Sequence, residues 1–203
     1  MEILYQDKDV VVAVKPAGVL STDEPGGMPE LLRKALVWDN VRSVHRLDRV
    51  VSGLMVYALR SKAASELSRQ VREGQFHKEY VAMVTGALPE EGRLRHFLLR
   101  NAQEHKTYAV PEGTQGAQEA ILTYRVLARR ENRTVVRIRL ETGRTHQIRA
   151  QFAAIGCPLV GDFKYGGMEA DSVRLYSCHL GFYQPYSGEK LDFERLPDWV
   201  NSL

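Results

Sequence analysis

Residues 134–140 read Thr-Val-Val-Arg-Ile-Arg-Leu, and the alternation in this stretch decides the fold class. In an extended chain the even-numbered positions from Thr134 to Leu140 share one face, while Val135 and the two arginines occupy the other. One face therefore suits a core, and the other is mostly charged. The pattern predicts a half-buried β-strand rather than a helix.

Outward from this strand, the chain shows further short apolar runs and a few helical patterns. Strand patterns occupy residues 10–14, 53–59, 78–85 and 121–127. Helical spacing appears at 30–38, at 62–72 after a predicted cap at Ser61, and at 148–155 after a predicted cap at Thr145. Residues 86–116 are predicted to be a charged, turn-rich excursion.

Strands outnumber helices and many are joined by loops of hairpin length. The predicted class is therefore α+β, with a mixed, largely antiparallel central sheet flanked by helices and loops. The 203 residues suffice for one well-cored domain but not for two large ones. No repeat, linker or low-complexity tract interrupts the sequence, so we expect residues 1–203 to form a single domain.

The composition excludes several classes of protein. Hydrophobic residues make up 44% and charged residues 26%, close to globular averages, which argues against disorder. The longest aliphatic runs are far shorter than the roughly 20 residues of a membrane helix, and the first residues lack a signal-peptide pattern. Two cysteines without paired spacing argue against a disulfide framework. We expect a cytoplasmic monomer that does not associate with a membrane.

The positive charge is concentrated in one segment and consists mostly of arginine. Of the 28 basic residues, 20 are arginine, and eight of these lie between Arg125 and Arg149 against only two glutamates. The planar guanidinium suits phosphates and base edges better than an ammonium group does. This bias leans toward nucleic acid, although an arginine-rich solvated sheet face explains it about equally well.

Sequence motifs for common cofactors do not occur. There is no G-x-x-x-x-G-K-[ST], no G-x-G-x-x-G, no H-E-x-x-H and no G-x-S-x-G. The six histidines show no spacing typical of metal ligands. We therefore expect metal-free chemistry without a cofactor.

Residues 45–54 read His-Arg-Leu-Asp-Arg-Val-Val-Ser-Gly-Leu and place one acid, Asp48, among basic neighbours just before a buried strand. From these residues alone, a loop salt bridge is the simpler explanation. The segment resembles, however, the H-R-L-D-x-x-T-S-G-L signature of the RluA-type pseudouridine synthases. Further resemblance follows in the family's order, at residues 3–5 with 10–18, 78–86, 142–149, 156–162 and 165–166. Val51, Leu59 and Tyr176 depart from the family pattern.

The resemblance implies the pseudouridine synthase fold and the conversion of uridine in ribosomal or transfer RNA to pseudouridine, without a cofactor. Asp48 corresponds to the catalytic aspartate, and Arg149 is implied to be its cationic partner. Tyr80 is implied to stack on the flipped base, which must leave its helix or loop to react. Arg46 would help to displace the base, and Leu175 would pack against the uracil. Each of these four residues also has a structural alternative. Tyr80 and Leu175 could be ordinary core residues, Arg46 could belong to a structural ion pair, and Arg149 could lie on a helix surface.

The resemblance also suggests how RNA is held. The amino-terminal RNA-binding module of some relatives is expected to be missing, so the catalytic domain itself would bind RNA. Basic side chains would supply the phosphate contacts, namely Arg93, Arg95, Lys106, Arg137, Arg139 and Arg144. Two other functions stay open. They are a non-catalytic RNA-binding protein on the same scaffold and a metal-free hydrolase that pairs Asp48 with His45 or His146.

Overall fold

The computed structural model describes residues 1–168 and 170–200, and this part of the chain contains eleven strands and three α-helices. The strands are β1 Glu2–Gln6, β2 Val10–Lys15, β3 Arg42–Ser43, β4 Ser52–Ala58, β5 His77–Thr85, β6 Glu91–Asn101, β7 Lys106–Val110, β8 Gln118–Arg130, β9 Arg133–Leu140, β10 Leu175–Tyr183 and β11 Lys190–Glu194. The helices are α1 Met28–Leu36, α2 Ser61–Arg72 and α3 Gln147–Ala154. The described residues divide into two units, one formed by Met1–Lys78 with Tyr176–Pro197 and the other by Glu79–Leu175 with Asp198–Val200.

The first unit is built on a mixed sheet. Its strands follow the order β1-β2-β4-β10, with β11 beside β10 and β3 beside β4. The β4–β10 pair is parallel, whereas the other pairs in this unit are antiparallel. Ala63 and Leu67 of α2 pack with buried strand residues such as Val12, Leu54 and Phe182. This core fixes β4, the strand that directly follows the Asp48 segment.

Gly53 allows β4 and β10 to approach each other closely. Its φ is +125°, and a Cβ atom placed there would lie 2.4 Å from the backbone nitrogen of Ser177. Gly53 and Ser177 are register partners in the parallel pair. Only glycine fits this position without displacing backbone.

The second unit is an antiparallel sheet with strand order β5-β9-β8-β6-β7. Helix α3 packs against β6 and β7, and Phe152 from this helix contacts the ring of Tyr124 on β8. The core positions of β9 include Val136 and Ile138, both fully buried. Tyr80 on β5 is the register partner of Ile138.

The predicted fold class is confirmed, because a mixed and largely antiparallel sheet carries the helices. Every predicted strand is present, and the residues of β9 alternate as expected on its inner face, with Thr134, Val136 and Ile138 buried. Val135 is buried as well, against expectation, so the face that carries Arg137 and Arg139 is covered near the start of the strand. The single-domain prediction over 1–203 stays a prediction.

Three local predictions were wrong. Within residues 86–116, predicted to be a charged, turn-rich excursion, most of the chain forms the paired strands β6 and β7. Ser61 is the first residue of α2 and Arg60 is its cap, without a side-chain hydrogen bond. Helix α3 is preceded by His146 in the left-handed region, with φ 55°, so Thr145 does not cap it. No helix among the described residues is long and apolar enough to cross a membrane.

Candidate active site

Asp48 lies on a short loop of the first unit, between β3 and β4, and its residue is half-buried. The loop ends in a turn in which the Val51 amide donates to the carbonyl oxygen of Asp48 at 3.0 Å. Immediately before it, Leu47 is buried and anchors the loop in the protein. The carboxylate is therefore carried by a loop with a defined backbone.

Ser21 holds the loop on the amino-terminal side of Asp48. Its hydroxyl donates to the Leu47 carbonyl oxygen at 2.9 Å, and the Leu47 amide lies 3.3 Å from the same hydroxyl. Ser21 is 3% exposed, so water does not compete strongly for these hydrogen bonds. In turn, the Ser43 hydroxyl donates to the Ser21 carbonyl oxygen at 2.7 Å.

Lys15 and Gly18 hold the loop on the other side of Asp48. The Lys15 ammonium is fully buried and donates to the carbonyl oxygens of Pro16, Val19 and Arg49 at 2.9, 2.7 and 3.1 Å. The Gly18 amide donates to the Arg49 carbonyl oxygen at 2.8 Å. Asp48 is thus fixed from both neighbouring residues.

Lys15 also places a cation close to Asp48. Burial lowers the pKa of Lys15 to about 8, and the Asp48 carboxylate acts in the opposite direction by favouring the charged ammonium. The two side chains therefore form an electrostatic pair within the first unit. Arg46, the predicted base-displacing residue, is exposed on the same loop.

His45 has a structural role instead of an acid–base role. Its Nε2 accepts a hydrogen bond from the Val56 amide at 3.1 Å, and its ring packs against Phe76. Burial, with a smaller contribution from Lys78, lowers the pKa of His45 well below 6.5. Because its accepting nitrogen is occupied by a backbone amide, His45 is a poor acid–base group, and the hydrolase alternative would depend on His146. Within the described residues, no group of three or more His, Cys, Asp and Glu side chains could hold a metal ion.

The second unit contains a buried ion pair between Arg149 and Asp162. Nε and Nη2 of Arg149 donate to the two carboxylate oxygens of Asp162 at 2.7 and 2.8 Å. The side chains are 6% and 1% exposed. The helix-surface alternative for Arg149 is therefore wrong, and Asp162 is a partner that the sequence did not reveal. The predicted pairing of Arg149 with Asp48 stays a prediction.

Tyr165 extends this pair into a small network. The Arg149 guanidinium lies 5.0 Å from the centre of the Tyr165 ring, within range of a cation–π interaction. The Tyr165 hydroxyl accepts from the Thr107 amide at 2.9 Å and lies 2.9 Å from Nδ1 of His146. Tyr165 thus connects the start of α3 to strand β7.

Gln147 organises the turn that leads into α3. Its Oε1 accepts from the Thr142 hydroxyl and from the Arg144 amide, each at 2.9 Å. Its Nε2 donates to the Ile121 carbonyl oxygen at 3.0 Å. Gln147 is 3% exposed. Like a capping side chain, it provides hydrogen-bond partners for backbone groups near the start of the helix.

The two other predicted substrate-binding residues are buried. Tyr80 is 6% exposed in β5, and Leu175 is 4% exposed at the start of β10. Their burial agrees with the core alternatives and also with the walls of a closed substrate site. Their predicted roles stay predictions.

All six predicted RNA contacts lie in the second unit, and three of them form ion pairs with acidic side chains. Arg93 pairs with Glu141, Arg95 with Glu119 and Glu112, and Arg137 with Glu79. The exposed Arg144 donates to the Glu119 carbonyl oxygen, and Lys106 lies over aromatic rings. A surface groove of about 280 Å³ is lined by Arg125, Arg137 and Arg139 together with Glu79 and Glu91. The net positive field is therefore weaker than the arginine count suggests.

Comparison with known proteins places these residues in a family context. A family model described as RNA pseudouridylate synthase matches residues 9–154, which include Asp48, Tyr80 and Arg149. Asp162 and Tyr165 lie beyond the matched residues.

Curated relatives match over nearly the whole chain. An "Uncharacterized RNA pseudouridine synthase" of Aquifex aeolicus (strain VF5) is 32% identical over 219 residues, covering 96% of this chain and 68% of that protein. The "Ribosomal large subunit pseudouridine synthase D" of Zymomonas mobilis subsp. mobilis (strain ATCC 31821 / ZM4 / CP4) is 30% identical over 217 residues, with the same two coverages of 96% and 68%.

A solved structure has the same fold. "Human RNA Pseudouridylate Synthase Domain Containing 1" matches with a TM-score of 0.85 and 26% identity, covering 100% of this chain and 85% of that chain. The resemblance first seen in residues 45–54 therefore extends to the fold.

Proposed function

This chain belongs to the RNA pseudouridylate synthase family, and we propose that its substrate is ribosomal RNA and that its catalytic residue is Asp48. Membership makes it an RNA pseudouridine synthase, which isomerises uridine in RNA to pseudouridine. The bond from N1 of uracil to the sugar breaks, the base turns, and C5 bonds to the same sugar carbon. C5 then loses its proton and N1 gains one, so the product is an isomer of uridine. The ribosomal substrate is supported by the name of the Zymomonas relative.

The observation that carries the proposal is the way in which the Asp48 loop is held. Such a reaction needs a carboxylate at a fixed distance from the sugar or the ring of an extruded nucleotide. Ser21 binds the backbone just before Asp48, and Lys15 binds the backbone just after it. A loop fixed in this way positions a reactive group without losing conformational entropy when the substrate binds.

Further roles complete the proposal. Tyr80 stacks on the flipped uracil, Leu175 packs against it, and Arg46 displaces it from its stack. Arg149 is the cationic partner of the reaction, supported by its burial and its fixed orientation on Asp162. Phosphate contacts come from the six basic residues predicted from the sequence, Arg93, Arg95, Lys106, Arg137, Arg139 and Arg144.

Residues 1–203 act as one catalytic domain, as a monomer in the cytoplasm. Cys157 and Cys178 are both free thiols, which suits a reducing compartment.

Asp48→Asn tests the catalytic assignment. Pseudouridine has the same mass as uridine, so the nucleosides are separated by liquid chromatography before mass spectrometry, after incubation with ribosomal RNA from cells that lack the protein. We expect the turnover to fall by at least about a thousandfold, as when other catalytic side chains are removed. Asp23→Asn, an exposed acid in an ion pair with Arg33, is the matched control and keeps wild-type turnover.

RNA affinity and urea unfolding of Asp48→Asn should both stay close to wild type. Wild-type turnover in this variant would reject Asp48 as the catalytic residue. Release of free uracil by the wild-type protein, instead of pseudouridine, would point to the hydrolase alternative. Efficient modification of transfer RNA, with none of ribosomal RNA, would reject the ribosomal substrate.

A further inference from the structure

A second concave surface lies in the second unit, between strand β7 and helix α3. It is a groove of about 230 Å³ lined on one side by residues 106–109 and on the other by Ala150, Ala153, Ala154 and Tyr165. The three alanines give one wall a shallow apolar surface without projecting side chains. β7 ends the strand order of this unit, so the groove runs along a sheet edge.

Lys106 and Tyr108 give the groove a charged and aromatic character. The Lys106 ammonium lies 5.1 Å from the centre of the Tyr108 ring and 5.2 Å from the centre of the Tyr165 ring. Tyr108 is 39% exposed, so part of its ring is open to a ligand. A cation beside an accessible ring and an apolar wall is the combination that holds a phosphate together with a stacked base.

The turn before β7 is held in place, so the groove exists without a ligand. The Asn101 side chain accepts hydrogen bonds from the amides of Gln103 and Glu104 at 3.0 and 3.1 Å. The Lys164 ammonium donates to the carbonyl oxygens of Glu104 and His105 at 3.2 and 3.1 Å. The Tyr108 hydroxyl donates to the Glu104 carboxylate, which fixes the ring orientation.

Tyr165 connects the groove to the residue that the proposed function places at the substrate. Its ring lies about 5 Å from the Lys106 ammonium and about 5 Å from the Arg149 guanidinium. A ligand in the groove is therefore separated from Arg149 by a single aromatic side chain. This spacing suits neighbouring nucleotides of one RNA strand.

We infer that this groove binds an unpaired nucleotide of the RNA substrate that neighbours the target uridine. Its base stacks on Tyr108 along the alanine wall, and its phosphate lies beside Lys106. The inference rests on the proposed function, because it places the target uridine near Arg149. Stacking tolerates any base, so the groove would select a splayed-out strand rather than a particular sequence.

The test measures binding of the full chain to a short single-stranded oligouridylate that contains one 2-aminopurine. Fluorescence anisotropy gives the Kd, and quenching of the 2-aminopurine reports stacking. Tyr108→Leu should weaken binding by about 5- to 100-fold and remove most of the quenching, since it removes one stacked base. Tyr108→Phe keeps the ring but loses its hydrogen bond to Glu104, and it should retain most of the affinity and of the quenching. Lys106→Met should lower the slope of log Kd against log salt by about one.

Two further variants distinguish binding in the groove from an effect of removing any exposed tyrosine. Ala154→Leu fills the groove without changing Tyr108 or Lys106, and it should also weaken binding and reduce quenching. Tyr186→Leu is the matched control, because Tyr186 is 81% exposed and lies under the Lys8 ammonium at 4.4 Å in the first unit. It should leave Kd and quenching unchanged.

The result that overturns the inference is wild-type binding and quenching in both Tyr108→Leu and Ala154→Leu. Equal weakening in Tyr186→Leu would also overturn it, since the effect would then belong to any exposed tyrosine. Either result leaves the proposed function intact if Asp48→Asn is inactive on ribosomal RNA. If the wild-type protein forms no pseudouridine but the groove variants still lose quenching, the proposed function fails and the nucleotide site remains.

Discussion

The carboxylate of Asp162 accepts hydrogen bonds from Nε and Nη2 of Arg149, at 2.7 and 2.8 Å. Both side chains are buried. Two parallel hydrogen bonds fix the plane of the guanidinium as well as its position. The Tyr165 ring at 5.0 Å further restricts it. The proposed role of Arg149 in the reaction therefore depends on Asp162 as a positioning residue.

Removal of Asp162 tests how strongly this pair is coupled to folding. Asp162→Ala leaves a buried guanidinium without its carboxylate, so we expect a loss of about 3–5 kcal/mol in the free energy of unfolding. Asp162→Asn keeps one acceptor oxygen and should lose less. Urea unfolding followed by circular dichroism measures both.

Asp171→Ala is the control for Asp162, because Asp171 pairs with Arg174 at a site where its side chain is 85% exposed. Its loss should stay within about 1 kcal/mol, as for other surface ion pairs. If Asp162→Ala and Asp171→Ala lost the same free energy of unfolding, the buried ion pair would not be more important for stability than the exposed one.

Gly53→Ala tests the close approach of β4 and β10. The new methyl group would lie 2.4 Å from the Ser177 nitrogen, and φ is +125° at this position. Because backbone must move on both strands, we expect a loss of at least about 2 kcal/mol in the free energy of unfolding. Gly143→Ala serves as control, since a Cβ there meets nothing within 4 Å. A thermal melt that shows no difference between the two variants would count against this account.

Local sequence patterns predicted the strands well where apolar residues are frequent. Residues 53–59 form a continuous apolar run, typical of a strand buried on both faces, and residues 134–140 alternate between apolar and charged side chains over most of their length. Strand β6 was missed because it exposes charged side chains such as Arg93 and Arg95, and much of its inner face is only partly buried. Its pairing with β7 and β8, rather than its own composition, makes it a strand.

The candidate site was predictable only where its residues form a contiguous motif. Asp48 stands out in residues 45–54, but its supports lie far away in sequence. The Lys15 ammonium and the Arg49 carbonyl are separated by 34 positions, and Ser21 and Leu47 by 26. Asp162 lay in a segment that resembled the family, yet its pairing with Arg149 depends on tertiary contacts that no spacing reveals.

The buried Lys15 should make stability depend on pH in the alkaline range. Its pKa is about 8 in the folded protein against 10.5 for an ordinary lysine. Between these values the unfolded chain binds more protons than the folded one, so the contribution of Lys15 to the free energy of unfolding rises with pH. Below about pH 8 both states are protonated, and the cost of burying the charge is fully present.

The measurement compares wild type with Lys15→Met in urea at about pH 7 and about pH 10. We expect wild type to gain stability relative to the variant as the pH rises. Lys78, whose pKa is also lowered by burial, is present in both proteins and cancels in the comparison. A difference between the two proteins that does not change with pH would contradict the lowered pKa of Lys15.

Tyr80 is proposed to act through its ring rather than its hydroxyl. Tyr80→Phe should therefore keep most of the turnover on ribosomal RNA, whereas Tyr80→Leu should lose roughly tenfold or more, as when other base-stacking rings are removed. Steady-state pseudouridine formation measures both. Tyr57→Phe, at a fully buried position in β4, controls for the loss of a tyrosine hydroxyl elsewhere. Greater loss in Tyr80→Phe than in Tyr80→Leu would reject the stacking role.

Glu141 limits the charge that Arg93 can offer to RNA. Its carboxylate accepts from Nε and Nη2 of Arg93 at 3.1 and 3.0 Å, and both side chains are about half exposed. Glu141→Gln removes this competitor, so we expect tighter RNA binding and a steeper salt dependence, by about one unit of the log–log slope. Glu2→Gln, which loses a similar exposed pair with Arg195, should leave both unchanged. Anisotropy titrations across a salt series measure the slopes, and equal changes in the two variants would show a general effect of net charge instead.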